Sequence, residues 1–117
     1  MQERRGEVRQ PPDRDLKMHD RVTGSCLGQV TNVSADGIMV MALEPHPPNR
    51  EFHCRIPLPG NIMLTEELLF DARSVWTRRV GESDQYQTGF ELIHITPDER
   101  ENIDLVIREL TVAGYWG

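Results

Sequence analysis

The hydrophobic period of this chain changes once, at Thr96, and that change bounds the folds open to it. Before Thr96 the apolar residues come in short alternating runs, the pattern of strands with one buried face. After it, Ile103, Val106, Ile107 and Leu110 recur at spacings of three and four. That spacing makes one apolar stripe along a helix. Thr96-Pro97-Asp98-Glu99 reads as the helix start, with Thr as N-cap, Pro at the first helical position and Glu three residues after the cap. Gly114 reads as its end.

Six strand-like runs precede the helix. Leu16, Met18 and Val22 open the first; Cys26–Val33 is the second and Gly37–Leu43 the third. Asp36-Gly37 between the last two is a strong hairpin pair, because glycine tolerates positive φ. A proline-dominated loop, residues 44–49, leads to a fourth run carrying Phe52, Cys54 and Ile56. The fifth run covers Leu68–Trp76, with Phe70, Ala72, Ser74 and Trp76 on one face and Leu69, Asp71, Arg73 and Val75 on the other. The sixth covers Tyr86–Ile95. Short strands with regular turn signals favour a closed barrel over an open sheet, since closure removes exposed edges. The expected fold is therefore all-β with a C-terminal helix: a six-stranded antiparallel barrel over residues 16–117, flanked by one amphipathic helix at about 96–113. A chain of 117 residues suffices for one such core.

Residues 1–15 are polar and charged and contain Pro11-Pro12. They offer too little apolar area to order themselves, which predicts a flexible N-terminal arm. Its notable feature is Arg5-Gly6-Glu7-Val8-Arg9, preceded by Arg4. The hairpin region carries a second motif, Asn32-Val33-Ser34-Ala35-Asp36-Gly37. A guanidinium fork matches a phosphate or the O6/N7 edge of guanine in bidentate fashion, which a lysine cannot do. Asn32 offers both donors and an acceptor, and Ser34 a hydroxyl donor. Gly37 would serve geometry, through positive φ or close approach of backbone to a ligand. Together the motifs suit a small, rigid anion carrying phosphate and guanine.

The paired motifs, R-x-x-x-R then N-x-S-x-x-G at a strand-turn-strand junction, resemble those of the PilZ domain, the bacterial receptor module for cyclic di-GMP. The likeness continues in Ala72-Arg73-Ser74-Val75-Trp76, Thr88-Gly89-Phe90-Glu91-Leu92 and Thr96-Pro97-Asp98-Glu99-Arg100. The second motif opens with Asn where the family often has Asp; the change adds a donor and removes a charge. The resemblance spans nearly the whole chain and implies a stand-alone receptor without an attached effector domain. It implies cyclic di-GMP as ligand, held by Arg5, Arg9, Asn32, Ser34 and Gly37. Arg4 reads either as a solvated charge or as a fork for a second ligand molecule, stacked on the first as a dimer. The implied action is ligand-gated ordering of the arm, which signals to an unidentified downstream protein in control of motility, adhesion or exopolysaccharide output. The alternative is a PilZ-like protein–protein adaptor that does not bind nucleotide.

Charge excludes other classes. With 13 Lys+Arg against 19 Asp+Glu and a net charge of -6, the chain lacks the basic face that general DNA or RNA binding requires. No stretch is long enough for a membrane span and no apolar leader precedes the arm, so a cytoplasmic protein is expected. Cys26 and Cys54 fall in apolar runs and read as buried free thiols. Neither C-x-x-C nor H-x-x-x-H spacing occurs among His19, His46, His53, Cys26 and Cys54, so no metal is expected. Ser34 has no recognisable base and no phosphate-binding glycine loop opens a helix; neither catalysis nor a cofactor is expected. The tail Gly114-Tyr115-Trp116-Gly117 reads as packing on the barrel or as a docking element.

Overall fold

The computed structural model describes residues 16–34, 36–59 and 66–115. Six strands are followed by one helix: β1 (Lys17–Asp20), β2 (Cys26–Val33), β3 (Gly37–Ala42), β4 (Glu51–Pro57), β5 (Glu67–Arg79), β6 (Tyr86–Ile93) and α1 (Pro97–Val112). The strands close into a barrel in the order β1-β2-β3-β6-β5-β4, every pairing antiparallel, with β4 returning to β1 through His19–Arg55 and Asp20–Cys54. Closure leaves no edge strand exposed among the described residues, as the short, turn-punctuated runs require.

Inward residues follow the alternation. Phe52, Cys54 and Ile56 of β4 are buried, as are Leu68, Phe70, Ala72 and Ser74 of β5. His53 points the other way from Cys54 and is exposed. At one mouth of the barrel α1 lays down its stripe: Ile103, Val106 and Leu110 are buried against Leu16, Val30, Ile38, Ile56 and Phe70. The helix start is a full capping box. The Glu99 N–H donates to Thr96 Oγ1 at 3.1 Å and the Thr96 N–H to Glu99 Oε1 at 2.9 Å. Its end is a Schellman motif around Gly114, whose φ is 85°. The Tyr115 N–H reaches Leu110 O at 3.1 Å and the Gly114 N–H reaches Thr111 O at 3.1 Å. Tyr115 is thereby buried in the core cluster, while Trp116 lies outside the described residues.

The β3–β4 loop closes the opposite mouth. His46 Nε2 donates to the Leu27 carbonyl at 2.7 Å, and its ring sits 5.9 Å from the rings of both Phe52 and Phe90. The fully buried Ser74 hydroxyl donates to the Pro47 carbonyl at 2.6 Å and accepts from the Arg50 N–H at 3.1 Å. A polar core residue is thus satisfied by the proline loop that covers it.

Several local expectations change. Val22 is not in β1; it lies in the β1–β2 turn, 74 % exposed, where the Asp20 carboxylate accepts its N–H at 2.8 Å. The fifth strand runs on to Arg79 and the sixth stops at Ile93. Cys26 is exposed, because the β1–β2 ladder shifts register at Met18/His19 and the first β2 residue falls outside the inward alternation. Cys54 is buried, and burial pushes its thiol up to about 12, so it is an inert packing residue.

Candidate functional site

The β2–β3 hairpin builds one wall of a surface cleft. Ser34 and Gly37 exchange backbone hydrogen bonds, the Ser34 N–H to Gly37 O at 2.9 Å and the Gly37 N–H to Ser34 O at 3.3 Å. This rung closes the expected tight turn. Ser34 Oγ accepts the Asp36 N–H at 3.4 Å. One step back along β2, the Val30/Asn32 irregularity tucks the Thr31 hydroxyl onto the Met39 carbonyl at 3.2 Å, and Asn32 is left exposed opposite Met39. The Asn32 side chain forms no hydrogen bond with any described residue, so its donors and acceptor are available.

Gly37 is needed for space. A Cβ there would collide with the Phe90 carbonyl oxygen of the neighbouring strand. Of the two geometric roles expected for it, close approach is the one observed, and the approach is to β6.

The facing wall comes from β5 and β6. Between Ser74 and Trp76 the β5–β6 register shifts by one residue, so that Ser74 faces Phe90 and Trp76 faces Gly89 with Val75 left over. The shift is a β-bulge, and it turns Trp76 off the face it was expected to share with Phe70, Ala72 and Ser74, which is the inward one. Trp76 is 38 % exposed and lies across Gly89 on the outside of the barrel. A Cβ on Gly89 would stand 2.5 Å from the indole Cε2 and 2.8 Å from Cζ2. Glycine there lets the indole lie flat on the sheet.

The resulting cleft has a volume of about 250 Å³. It brings Asn32, Ser34 and Gly37 together with Asp36, Met39 and Trp76. Its floor is apolar and aromatic and its hairpin side polar. Among the described residues no Lys or Arg lines it, and Asp36 is its single acidic residue. The volume falls below the ~300–1,000 Å³ that encloses a drug-sized ligand, so these residues form an open shelf. Such a shelf suits a planar ring stacked on indole with its polar edge toward Asn32 and Ser34. Arg4, Arg5 and Arg9 lie outside the described residues.

Trp76 lines the cleft although the sequence pattern did not mark it as a candidate. The Trp76–Gly89 juxtaposition is the signal that would have found it. A large aromatic opposite a glycine on adjacent strands marks a ring lying over backbone, but the pairing depends on the bulge.

A sequence model of the PilZ domain family matches residues 3–109. Among solved structures, the PilZ domain with c-di-GMP of YcgR from Escherichia coli is similar at a TM-score of 0.62 and 13 % identity, covering 85 % of this chain and 82 % of that one. The Bacillus subtilis inhibitor of motility, MotI/DgrA, has a TM-score of 0.62 at 16 % identity, covering 86 % of this chain and 48 % of that one. MrkH of K. pneumonia in its apo state has a TM-score of 0.65 at 15 % identity, covering 97 % of this chain and 54 % of that one. The chain thus spans about half the length of MotI/DgrA and of MrkH. At these identities the likeness speaks for the shared fold. No curated protein matches the sequence. Among the described residues no helix is long and apolar enough to cross a membrane, and no group of three His, Cys, Asp or Glu is placed to hold a metal.

Proposed function

The chain belongs to the PilZ domain family, and on that premise we propose that it is a receptor for cyclic di-GMP whose N-terminal arm closes over the bound nucleotide. The observation that carries this reading is the convergence of Asn32, Ser34 and Gly37 with the exposed Trp76 on one cleft. A guanine ring stacks on the indole. Asn32 meets its edge with donors and acceptor, and Ser34 donates to an acceptor on base or phosphate. The described residues of the cleft include no cation, so two phosphodiester charges call for guanidinium groups from elsewhere. Arg5 and Arg9 supply them as bidentate forks.

Strand register supports the arm as their source. Lys17 pairs with Gln29, and the Leu16 carbonyl accepts the Val30 N–H at 2.7 Å. β1 is antiparallel to β2, so the chain enters the barrel two residues from Asn32. Arg9 stands seven residues before Leu16, a reach of up to about 25 Å. Closure of the arm presents a new surface to a downstream protein, and its ordering entropy makes it a switch at some cost in affinity. Arg4 adds a fork for a second nucleotide stacked on the first.

Calorimetric titration with cyclic di-GMP tests the reading. We expect saturable binding that GTP does not displace, and tenfold or weaker affinity in Arg5→Ala and Arg9→Ala, from about 1.5–3 kcal/mol per charged contact. Wild-type affinity in both variants refutes the clamp. A stoichiometry of one nucleotide per chain refutes the role given to Arg4. No binding at any concentration leaves a protein–protein adaptor.

A further inference from the structure

We propose that Arg78 is a further ligand-binding residue: a guanidinium fixed on the barrel that takes a phosphodiester oxygen of the nucleotide whose base lies on Trp76. The inference rests on the receptor reading above and adds to it a cation that belongs to neither sequence motif.

The bulge that turns Trp76 outward turns Arg78 outward as well, since the two stand two residues apart on β5. The Arg78 guanidinium carbon sits 5.6 Å from the centre of a Trp76 ring, within cation–π range. Across the ladder Arg78 pairs with Gln87, two residues from Gly89 on β6. Gln87 Oε1 accepts from Arg78 Nε at 3.2 Å and from Nη2 at 3.0 Å. Two of the five guanidinium N–H groups are thereby used, and the other three meet no described acceptor.

The partner of this arginine is an uncharged amide. Arg21, Arg55 and Arg73 are neutralised by Asp71, Glu67 and Glu91. Arg79, next in sequence, spends its donors on the Ser83 and Glu82 carbonyls at the β5–β6 turn. Arg78 has no carboxylate partner among the described residues. A neutral amide fixes its direction and leaves its charge uncompensated. In a chain of net charge -6, an aimed and unpaired guanidinium beside an aromatic shelf offers an anion what the cleft lining lacks. Because Gln87 has already fixed the fork, less entropy is lost when it binds.

The test is a cyclic di-GMP titration of the full chain as wild type, Arg78→Ala, Arg78→Lys and Arg79→Ala, with a thermal melt of each. Arg79→Ala removes the same charge from the neighbouring position and controls for long-range electrostatics. Expected are a loss of about tenfold or more in Arg78→Ala, as for a charged hydrogen bond, partial recovery in Arg78→Lys, and less than a twofold change in Arg79→Ala, with melting temperatures unaltered. Binding by the wild type that Arg78→Ala leaves unchanged overturns the inference alone and makes Arg78 a solvated surface charge. A wild type that does not bind overturns the receptor reading, and this inference falls with it.

Discussion

Gly89→Ala should weaken nucleotide binding without weakening the fold. The added methyl carbon would stand 2.5 Å from Cε2 and 2.8 Å from Cζ2 of the Trp76 indole. Carbon atoms settle at about 3.5–4.0 Å, so the ring must lift by roughly 1 Å from the sheet. It can do so because Trp76 is 38 % exposed and the Arg78 guanidinium packed on its ring belongs to an exposed side chain that can move with it. Gly89 is in ordinary strand conformation, so alanine adds no backbone strain and improves the strand propensity at that position. The cost falls on the shelf. Stacking of a base on an aromatic side chain contributes about 1–3 kcal/mol, so Trp76→Ala should lose roughly 5- to 150-fold in affinity. Gly89→Ala should lose a large part of the same amount, since the lifted indole closes on the space the base occupies. Indole fluorescence in a Trp116→Phe background follows Trp76 alone, and calorimetry gives the affinity. A shifted emission with unchanged cyclic di-GMP affinity would refute Trp76 as the platform. A fall in melting temperature of many degrees would refute the view that its ring is free to lift.

Gly37→Ala should behave oppositely and unfold the hairpin side of the barrel, because its methyl group meets the Phe90 carbonyl of the β3–β6 ladder, which cannot lift; a thermal melt close to wild type would count against this. Asp71 accepts hydrogen bonds from His53 Nδ1 at 2.7 Å, His94 Nδ1 at 3.4 Å and Arg21 Nη2 at 3.2 Å, and chiefly the first holds its carboxyl below the usual 3.8. A depressed native pKa stabilises above the unfolded value and is lost as pH falls through the native one, so wild type should lose stability more steeply below about pH 4 than Asp71→Asn, with equal slopes as the contrary result. A thiol reagent should modify Cys26 in the native chain and reach Cys54 only in denaturant, read by mass spectrometry; native labelling of Cys54 would contradict its burial. Thr96→Ala removes the capping-box acceptor and should cost about 0.5–2 kcal/mol in chemical denaturation, with cyclic di-GMP affinity unchanged because neither Thr96 nor Glu99 lines the cleft.

What could be read from sequence divides by the range of the forces involved. The helix was legible to within a residue, because capping, the N1 proline and the apolar stripe are local statements about consecutive residues. The hairpin was legible because Ser34-Ala35-Asp36-Gly37 is a turn sequence, and Ser34 and Gly37 pair as its closing rung. Barrel closure was legible as the only arrangement of six short strands that leaves no edge. The Trp76 shelf was not, because nothing in Arg73-Ser74-Val75-Trp76 departs from strand alternation. Continued regularly, that alternation buries Trp76 beside Ser74. The core has no room for it there: Phe90 faces Ser74, and the proline loop closes on the Ser74 hydroxyl from the other side. One residue of slippage at Val75 resolves the conflict. It keeps the small Ser74 inside and sends the large ring out, where Gly89 has no side chain to block it. The same slip carries Arg78 to the outer face, next to Gln87. Bulges collect at barrel rims because a rim residue can be re-aimed without repacking the core. Here the re-aimed indole faces the hairpin that presents Asn32 and Ser34, and the guanidinium stands beside it on the outer face. The two walls of the cleft thus have different origins, one written in a turn motif and the other produced by a packing conflict across the barrel.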